Sequence, residues 1–329
     1  MPKDRQLLFY FSLLIAWLLA CVVISMLIYQ STSRRTRIQW SPLSCSHGYL
    51  NCAYLKQSGL GNLMFQYASM FGVAKTKGMT LVVPTGFRLS RYFELPALPD
   101  APPSSEHAAY TYHELKSNAY DALLMSKLDP CHNSTLVGYF QSYKYFEQYQ
   151  TQLAVQLQFR DEIRRRATRF LDEAVRQTYP LHTRAEVLLV GVHVRRGDMV
   201  TPRARQFGYV SPGKDYYVRA VSQLQSTYKE RRLLFVVASD DIPWCEANFD
   251  DVRAHFVFSR GHPDYVELAM LSQCEHVVAS AGTFSWWAAW LSPGNVTYFK
   301  GFPKPGSALD AGFSFDRSDY YPEKWVALS

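Results

Sequence analysis

Twelve consecutive residues, Val187-Leu-Leu-Val-Gly-Val-His-Val-Arg-Arg-Gly-Asp198, limit what this chain can fold into more than any other stretch. Val187 to Val194 is apolar and rich in β-branched residues, the pattern of a strand buried on both faces. Its carboxyl end delivers His193, Arg195, Arg196, Gly197 and Asp198. In open α/β sheets ligands bind beyond such strand ends. Arginine offers a planar fork of donors suited to phosphate oxygens. Gly197 allows a sharp turn or a close backbone approach. Surface ion pairing would account for the same residues taken alone.

The remainder of the carboxyl half alternates strand and helix. Tyr216–Tyr228 reads as a helix and Leu233–Ser239 as a second buried strand that ends in Asp240-Asp241. His255–Phe258 and His276–Ala279 read as further strands, with a helix over Asp264–Cys274 between them. Thr283–Leu291 reads as a helix preceded by Ser280-Ala-Gly282, and Val296–Phe299 as a last strand. This alternation predicts a parallel Rossmann-like sheet. Its polar strand ends share one crevice, and the hydroxyls of Thr283 and Ser285 open a helix whose free N–H groups suit a phosphate. An arginine pair, a helix start and an acid together suggest a nucleoside diphosphate. The absence of GxxxxGK[ST], and of GxGxxG after a strand, disfavours ATPase and NAD readings.

In the amino-terminal half, Ser58-Gly-Leu-Gly-Asn62 is a glycine-rich turn. It precedes a helical pattern over Leu63, Met64, Tyr67, Ala68 and Phe71, stopped by Lys77-Gly78. Met79–Pro84 and Leu136–Phe140 are strand-like, and Pro96–Ser105 reads as an irregular loop. Arg160–Gln177 is an amphipathic helix with Ile163, Ala167, Phe170, Leu171, Ala174 and Val175 on its buried stripe.

Leu7–Tyr29 has no charged residue and is long enough to span a bilayer. It reads as an uncleaved signal-anchor, with residues 1–6 as a cytosolic tail and 30–44 as a lumenal stem. Charges flanking the span are nearly balanced, so orientation rests on the glycosylation triplets at Asn133 and Asn295, which work only in the lumen. Of six cysteines, one lies in the span, and the odd five that remain cannot all pair within the chain. A tight Cys45–Cys52 loop is one option. No cysteine or histidine spacing matches a zinc site. The chain carries a net charge of +7 without a dense basic run, so no nucleic-acid partner is expected. Aromatics make up 15% of residues, enough to fill cores and to line a sugar-binding cleft.

Several of these stretches together resemble the galactoside α-1,2-fucosyltransferases, glycosyltransferase family 11. His193–Asp198 matches the family's HxRRGD stretch, Gly59–Ala68 its GxGNQxFQYA block and Thr283–Leu291 its TFSWWAAWL block. Gly138–Ser142 and Gln273-Cys274 also fit. The likeness runs from about Gly59 to Phe299, with Leu63 where the family usually has Gln and Tyr143 where many members have Glu. Both departures lie in the first domain and bear on acceptor choice.

The resemblance implies a GT-B-like α/β fold of two Rossmann-like domains facing a cleft. Residues 45–185 would form the acceptor side and 186–329 the GDP-fucose-binding side. It implies transfer of L-fucose from GDP-β-L-fucose to the 2-hydroxyl of a terminal β-galactose, on glycoprotein or glycolipid, with inversion and without metal or other cofactor. It also implies a single-pass type II protein of the Golgi membrane. By similarity Arg195 would hold the β-phosphate, His193 and Asp240 would lie near guanine, and Thr283 and Ser285 would meet the phosphates. Arg196 would either join the donor site or brace the loop. Asp198 is either the catalytic base or an ion-pair partner of Arg195 or Arg196. A fucosyltransferase of another linkage or acting on a glycoprotein core, or a non-catalytic Golgi lectin on the same fold, would share most of these residues.

Overall fold

A computed structural model describes residues 48–53, 55, 58–100 and 109–329. The signal-anchor, the stem, Cys45 and part of the proline-rich loop lie outside these residues.

Two all-parallel sheets organise the described chain. The first joins β1 (Tyr49–Cys52), β2 (Thr80–Leu81), β3 (Ala109–His113) and β4 (Asn133–Val137) in the order β2-β1-β4-β3. Helices α1 (Leu60–Lys77), α2 (Ala122–Lys127) and α3 (Gln150–Gln156) accompany it. Gly78 ends α1 in the left-handed conformation, φ 67°, which glycine adopts without steric cost. The Leu136–Phe140 run is a strand only to Val137; Gly138 and Phe140 then take positive φ values of 157° and 51° and turn the chain out of the sheet.

The helix α4 (Asp161–Thr178) leads into β5 (Val187–Val194), all eight residues of which are buried. Then follow α5 (Pro202–Phe207), α6 (Lys214–Thr227), β6 (Arg232–Ser239), α7 (Ile242–Phe249) and β7 (Phe256–Phe258). The chain continues through α8 (Asp264–Leu271), β8 (His276–Ala279), α9 (Thr283–Leu291), β9 (Asn295–Phe299) and β10 (Val326–Leu328). The second sheet has the order β10-β9-β8-β5-β6-β7. From β5 the chain moves outward through β6 and β7, then returns to the other side of β5 with β8. The carboxyl ends of β5 and β8 therefore form the topological switch point, where ligands bind in sheets of this kind.

Period-two alternation sorts β5 between two helical layers. Val187 and Leu189 pack with Ile163, Ala167 and Leu171 of α4 and Ala269 of α8. Leu188, Val190, Val192 and Val194 pack with Tyr216, Tyr217 and Leu224 of α6. Burial of each such aliphatic side chain contributes about 1.5–3 kcal/mol. Gly191 lies on the α8 side, where an added Cβ would meet Leu271 Cδ2 at 3.0 Å.

A third core joins the sheets. Phe65 of α1 packs on Trp286 and Trp287 of α9, with ring centroids 4.5 and 5.2 Å away, and on Tyr320 at 6.0 Å. Trp286 Nε1 donates to the Tyr320 carbonyl at 2.7 Å. At Gly61 an added Cβ would stand 2.6 Å from backbone atoms of Thr283 and Phe284. Only glycine allows the start of α1 to approach the start of α9 so closely. Cys131 is disulfide-bonded, whereas the Cys52 thiol donates to the Gly138 carbonyl at 3.8 Å. Cys45, the optional partner of Cys52 in a tight loop, lies outside the described residues.

Candidate functional site

A cavity of about 1080 Å³ lies beyond the switch point. Its walls combine the strand ends of the second sheet, the starts of α1 and α9, and loops of the first sheet. Among the sequence candidates, His193, Arg195, Asp198, Asp240 and Thr283 line it.

The β5 end is held in place by hydrogen bonds. The Arg195 N–H donates to Ser280 Oγ at 3.1 Å, which ties β5 to the loop after β8. The same hydroxyl lies 3.2 Å from His193 Nδ1. His193 is buried against Phe284, and that burial, reinforced by Arg195, pushes its imidazole down to about 3. It is neutral at any physiological pH. The Arg195 guanidinium spans two carboxylates, Asp198 at 2.6 Å and Asp240 at 2.8 Å. Asp240 is fixed at both oxygens, because Oδ1 also accepts from the Arg196 N–H at 2.8 Å. Asp198 is held more loosely, with its side chain 76% exposed.

Gly197 makes a close approach, but to protein rather than to ligand. A Cβ there would lie 2.3 Å from Asp240 Oδ2. The glycine is what lets Asp240 sit under the loop and reach Arg195.

Arg196 takes the second of its two expected roles, and Ser285 lies away from the expected donor site. Arg196 does not line the cavity. Its guanidinium lies 4.1 Å from the Trp244 ring, and its Nε pairs with Asp241 at 3.0 Å. Asp241 in turn caps α7 by accepting from the Trp244 N–H. Arg196 thus braces the loop, and the alternation of β5 explains why: Arg195 continues the His193 face, and Arg196 the opposite one. The Ser285 side chain is only 1% exposed and lies off the cavity. Its hydroxyl has no hydrogen-bond partner among the described residues. What the first turn of α9 presents is backbone: Gly282, at φ 89°, provides no side-chain cap. Gly59 likewise leaves α1 without a side-chain cap. Two helix starts therefore turn uncapped N–H groups and the positive ends of their dipoles toward one cavity.

The opposite wall is neutral and amide-rich. Thr283 Oγ1 donates to Asn62 Oδ1 at 2.7 Å, and Gln141 Nε2 donates to the same oxygen at 3.1 Å. Gln141 Oε1 accepts from Asn118 Nδ2 at 2.8 Å. Asn62 sits within the recognised glycine-rich turn. Gln141 lies in the Gly138–Ser142 stretch that fits the family, and Asn118 carries no chemical signal in sequence beyond its polarity. The departures at Leu63 and Tyr143 are both buried core positions that do not line the cavity.

Glu267 on α8 is a further cavity residue that sequence reasoning missed. Burial raises its carboxyl to about 7, against the lowering effect of the Ser259 hydroxyl, with Asp264 and Asp240 adding to the rise. Ser259 Oγ lies 3.3 Å from His262 Nδ1. An acid at the fourth position of a helix that is apolar or aromatic apart from its first residue, Asp264, was the available signal.

Of the two glycosylation triplets, Asn295 is exposed at the start of β9. Asn133 begins the interior strand β4, with Oδ1 accepting from the Tyr49 N–H at 3.0 Å.

The sequence pattern of the family described as Glycosyl transferase family 11 matches residues 43–329. The chain is similar to the galactoside 2-alpha-L-fucosyltransferase Sec1 of Mus musculus, with 28% identity over 82% of this chain and 72% of the relative. It is equally similar, at 28% identity, to the galactoside alpha-(1,2)-fucosyltransferase 1 of Bos taurus, over 82% of this chain and 73% of that one. Among solved structures, an Arabidopsis thaliana FUT1 mutant in complex with GDP aligns with a TM-score of 0.49 and 13% identity, over 77% of this chain and 70% of that chain. With its family pattern spanning both sheets and the cavity between them, the chain belongs to glycosyl transferase family 11.

Proposed function

We propose that this protein is a galactoside 2-α-L-fucosyltransferase, transferring fucose from GDP-fucose to the 2-hydroxyl of a β-galactoside. The family match and the curated relatives support the activity. The observation that carries the donor site is Arg195, held between two carboxylates at the mouth of two uncapped helix starts. The pair of parallel sheets about one cavity supports a GT-B-like reading of the fold.

In this reading the diphosphate lies at Arg195 and at the N–H groups that begin α1 and α9. Breaking the fucosyl–phosphate bond leaves negative charge on the diphosphate. Arg195 and the helix starts stabilise that charge as it develops, so the step needs no metal. Phosphate oxygens displace the loosely held Asp198 from Arg195, while Asp240 keeps its place on two anchors. Asp198, released and exposed, then takes the proton of the acceptor hydroxyl as the oxygen attacks the anomeric carbon from the face opposite the diphosphate. Attack from that face inverts the β-linked donor to an α-linked product. Guanine presents adjacent N–H donors on one edge, and the Glu267 carboxylate offers the matching acceptor pair, with neutral His193 beside the nucleoside.

The same reading makes residues 1–6 a cytosolic tail, 7–29 a signal-anchor and 30–329 the lumenal part of a Golgi enzyme, with Asn295 as the triplet open to a glycan. The test uses the full chain in solubilised membranes with GDP-fucose, a panel of β-galactosides and a chelator. The expected product carries fucose on galactose O-2. Fucose on another hydroxyl would leave the donor site intact and refute the linkage. GDP binding without transfer would point to a lectin.

A further inference from the structure

A second hollow, of about 680 Å³, opens beside the main cavity over α5. The two share Asp198, Phe207 and Tyr209, so they are continuous at the residue assigned as base. The hollow is also lined by Arg203 and Gln206, both exposed and neither shared with the main cavity.

Phe207 is 47% exposed, yet it is not loosely placed. Its ring stacks on Tyr209, with centroids 5.9 Å apart and planes 30° off parallel. Its carbonyl accepts from the Leu309 N–H at 3.0 Å, and the Gly208 carbonyl accepts from the Lys304 N–H at 2.9 Å. Gly208 has φ 121°, and an added Cβ would collide with the Ser307 hydroxyl. The backbone is therefore locked in a form that presents Phe207 and Tyr209 as one aromatic face. Tyr139, 40% exposed, also lines the main cavity. Burial raises the Tyr209 hydroxyl above the usual range, with Asp198 and Tyr139 adding to the effect, so all three groups share one electrostatic neighbourhood.

A single exposed aromatic needs no explanation. A pinned, stacked pair at the junction of the cavity and a second hollow does. Its apolar face matches the C–H face of a pyranose ring, and the donors of Gln206 and Arg203 beyond it match sugar hydroxyls. We infer that the hollow over α5 is the acceptor's exit path, in which the Phe207–Tyr209 face stacks the sugar that precedes the terminal galactose while Gln206 and Arg203 bind its hydroxyls. This inference rests on the proposed galactoside activity and deepens it, making Phe207 a specificity-determining residue. The enzyme then prefers a galactose that is already linked to a second sugar.

The test compares kcat/KM for methyl β-galactoside with that for a galactosyl-β-N-acetylglucosamine acceptor, in the full chain and its Phe207→Ala, Phe207→Tyr and Gln206→Ala variants. The ratio of the two values does not depend on the fraction of protein that folds. The wild type should favour the disaccharide by about tenfold or more, the worth of a stacking contact with its hydrogen bonds. Phe207→Ala should lower the ratio about tenfold, Gln206→Ala a few-fold, and Phe207→Tyr should restore it. A ratio that stays constant across the variants, with both acceptors changing in parallel, would overturn the exit path and leave the activity standing. Failure of the wild type to use either acceptor would refute the galactoside reading itself.

Discussion

The two walls of the cavity are built from different chemistry. The wall at the strand ends of the second sheet is charged: Arg195, Asp198, Asp240 and Glu267 cluster around buried, neutral His193. The wall toward the first sheet is an amide relay of Asn62, Gln141 and Asn118 without a formal charge. In the proposed reading, charge is concentrated where the diphosphate would be held and where negative charge would develop. Neutral donors and acceptors suit a sugar, which offers hydroxyls and no charge. The difference teaches that substitutions on the charged wall should act on donor affinity and kcat, and those on the amide wall on the acceptor.

Asp198→Asn tests the charged wall hardest. It keeps the shape and removes the base, so kcat should fall by about 10²–10⁴. GDP affinity should not weaken, because the carboxylate that competes with phosphate for Arg195 is gone. Arg195→Ala should lower kcat by about 10²–10³ and weaken GDP as well, as read by single-turnover kinetics and calorimetry. On the amide wall, Asn62→Ala leaves the Thr283 hydroxyl and the Gln141 amide without their acceptor. The acceptor KM should rise about tenfold with little change in GDP affinity; a GDP-selective loss would erase the distinction between the walls.

Arg196→Ala sharpens the comparison from the charged side. Loss of the Trp244 and Asp241 contacts should cost about 2 kcal/mol, seen as a thermal midpoint lower by several degrees. The backbone N–H that holds Asp240 remains, so the folded variant should retain GDP.

Two pH effects follow from one cause, burial, which disfavours the charged form of an acid and of an imidazole alike. Glu267 titrates near 7 in the free site, and it must be ionised to accept the two guanine donors. GDP binding should therefore weaken as pH falls below about 7, by at most about tenfold per unit, and Glu267→Gln should remove the dependence. Stability should also fall with pH. His193 and His276 are depressed to about 3 and about 4 by burial. Below about 6.5 the unfolded chain binds protons at these positions that the folded chain refuses, so the contribution is fully present above 6.5 and is lost on acidification. Replacing both histidines with asparagine should flatten the thermal midpoint between about pH 6.5 and 4.

Much of the second sheet was legible because its signals are local. The run Val187–Val194 is a strand over those same residues, and the amphipathic Arg160–Gln177 is a helix over Asp161–Thr178. Helix α7 is a finding of the structure beyond the predicted elements, although Asp241 with Pro243 just inside is a helix start signal, because the strand end at Asp240-Asp241 shares the same residues. The unequal fates of Arg195 and Arg196 were encoded in strand alternation, which places residues two apart on one face. Ser285 lies off the cavity for the complementary reason: a helix start offers its backbone N–H groups to a ligand, while the direction of each side chain depends on packing across the third core. Asn118 was beyond reach, and Gln141 was visible only as part of the family-like Gly138–Ser142 stretch, because a loop amide gains meaning only when folding brings it beside another. β1 and β3 escaped notice as short strands whose partners are distant in sequence.

The most direct measurement of the central claim is a GDP titration of the folded wild type beside Arg195→Ala and Arg196→Ala. The account predicts a large loss of affinity for Arg195→Ala and near-wild-type binding for Arg196→Ala, since only the first guanidinium faces the cavity. Equal losses, or the greater loss at Arg196, would contradict it and place the diphosphate elsewhere.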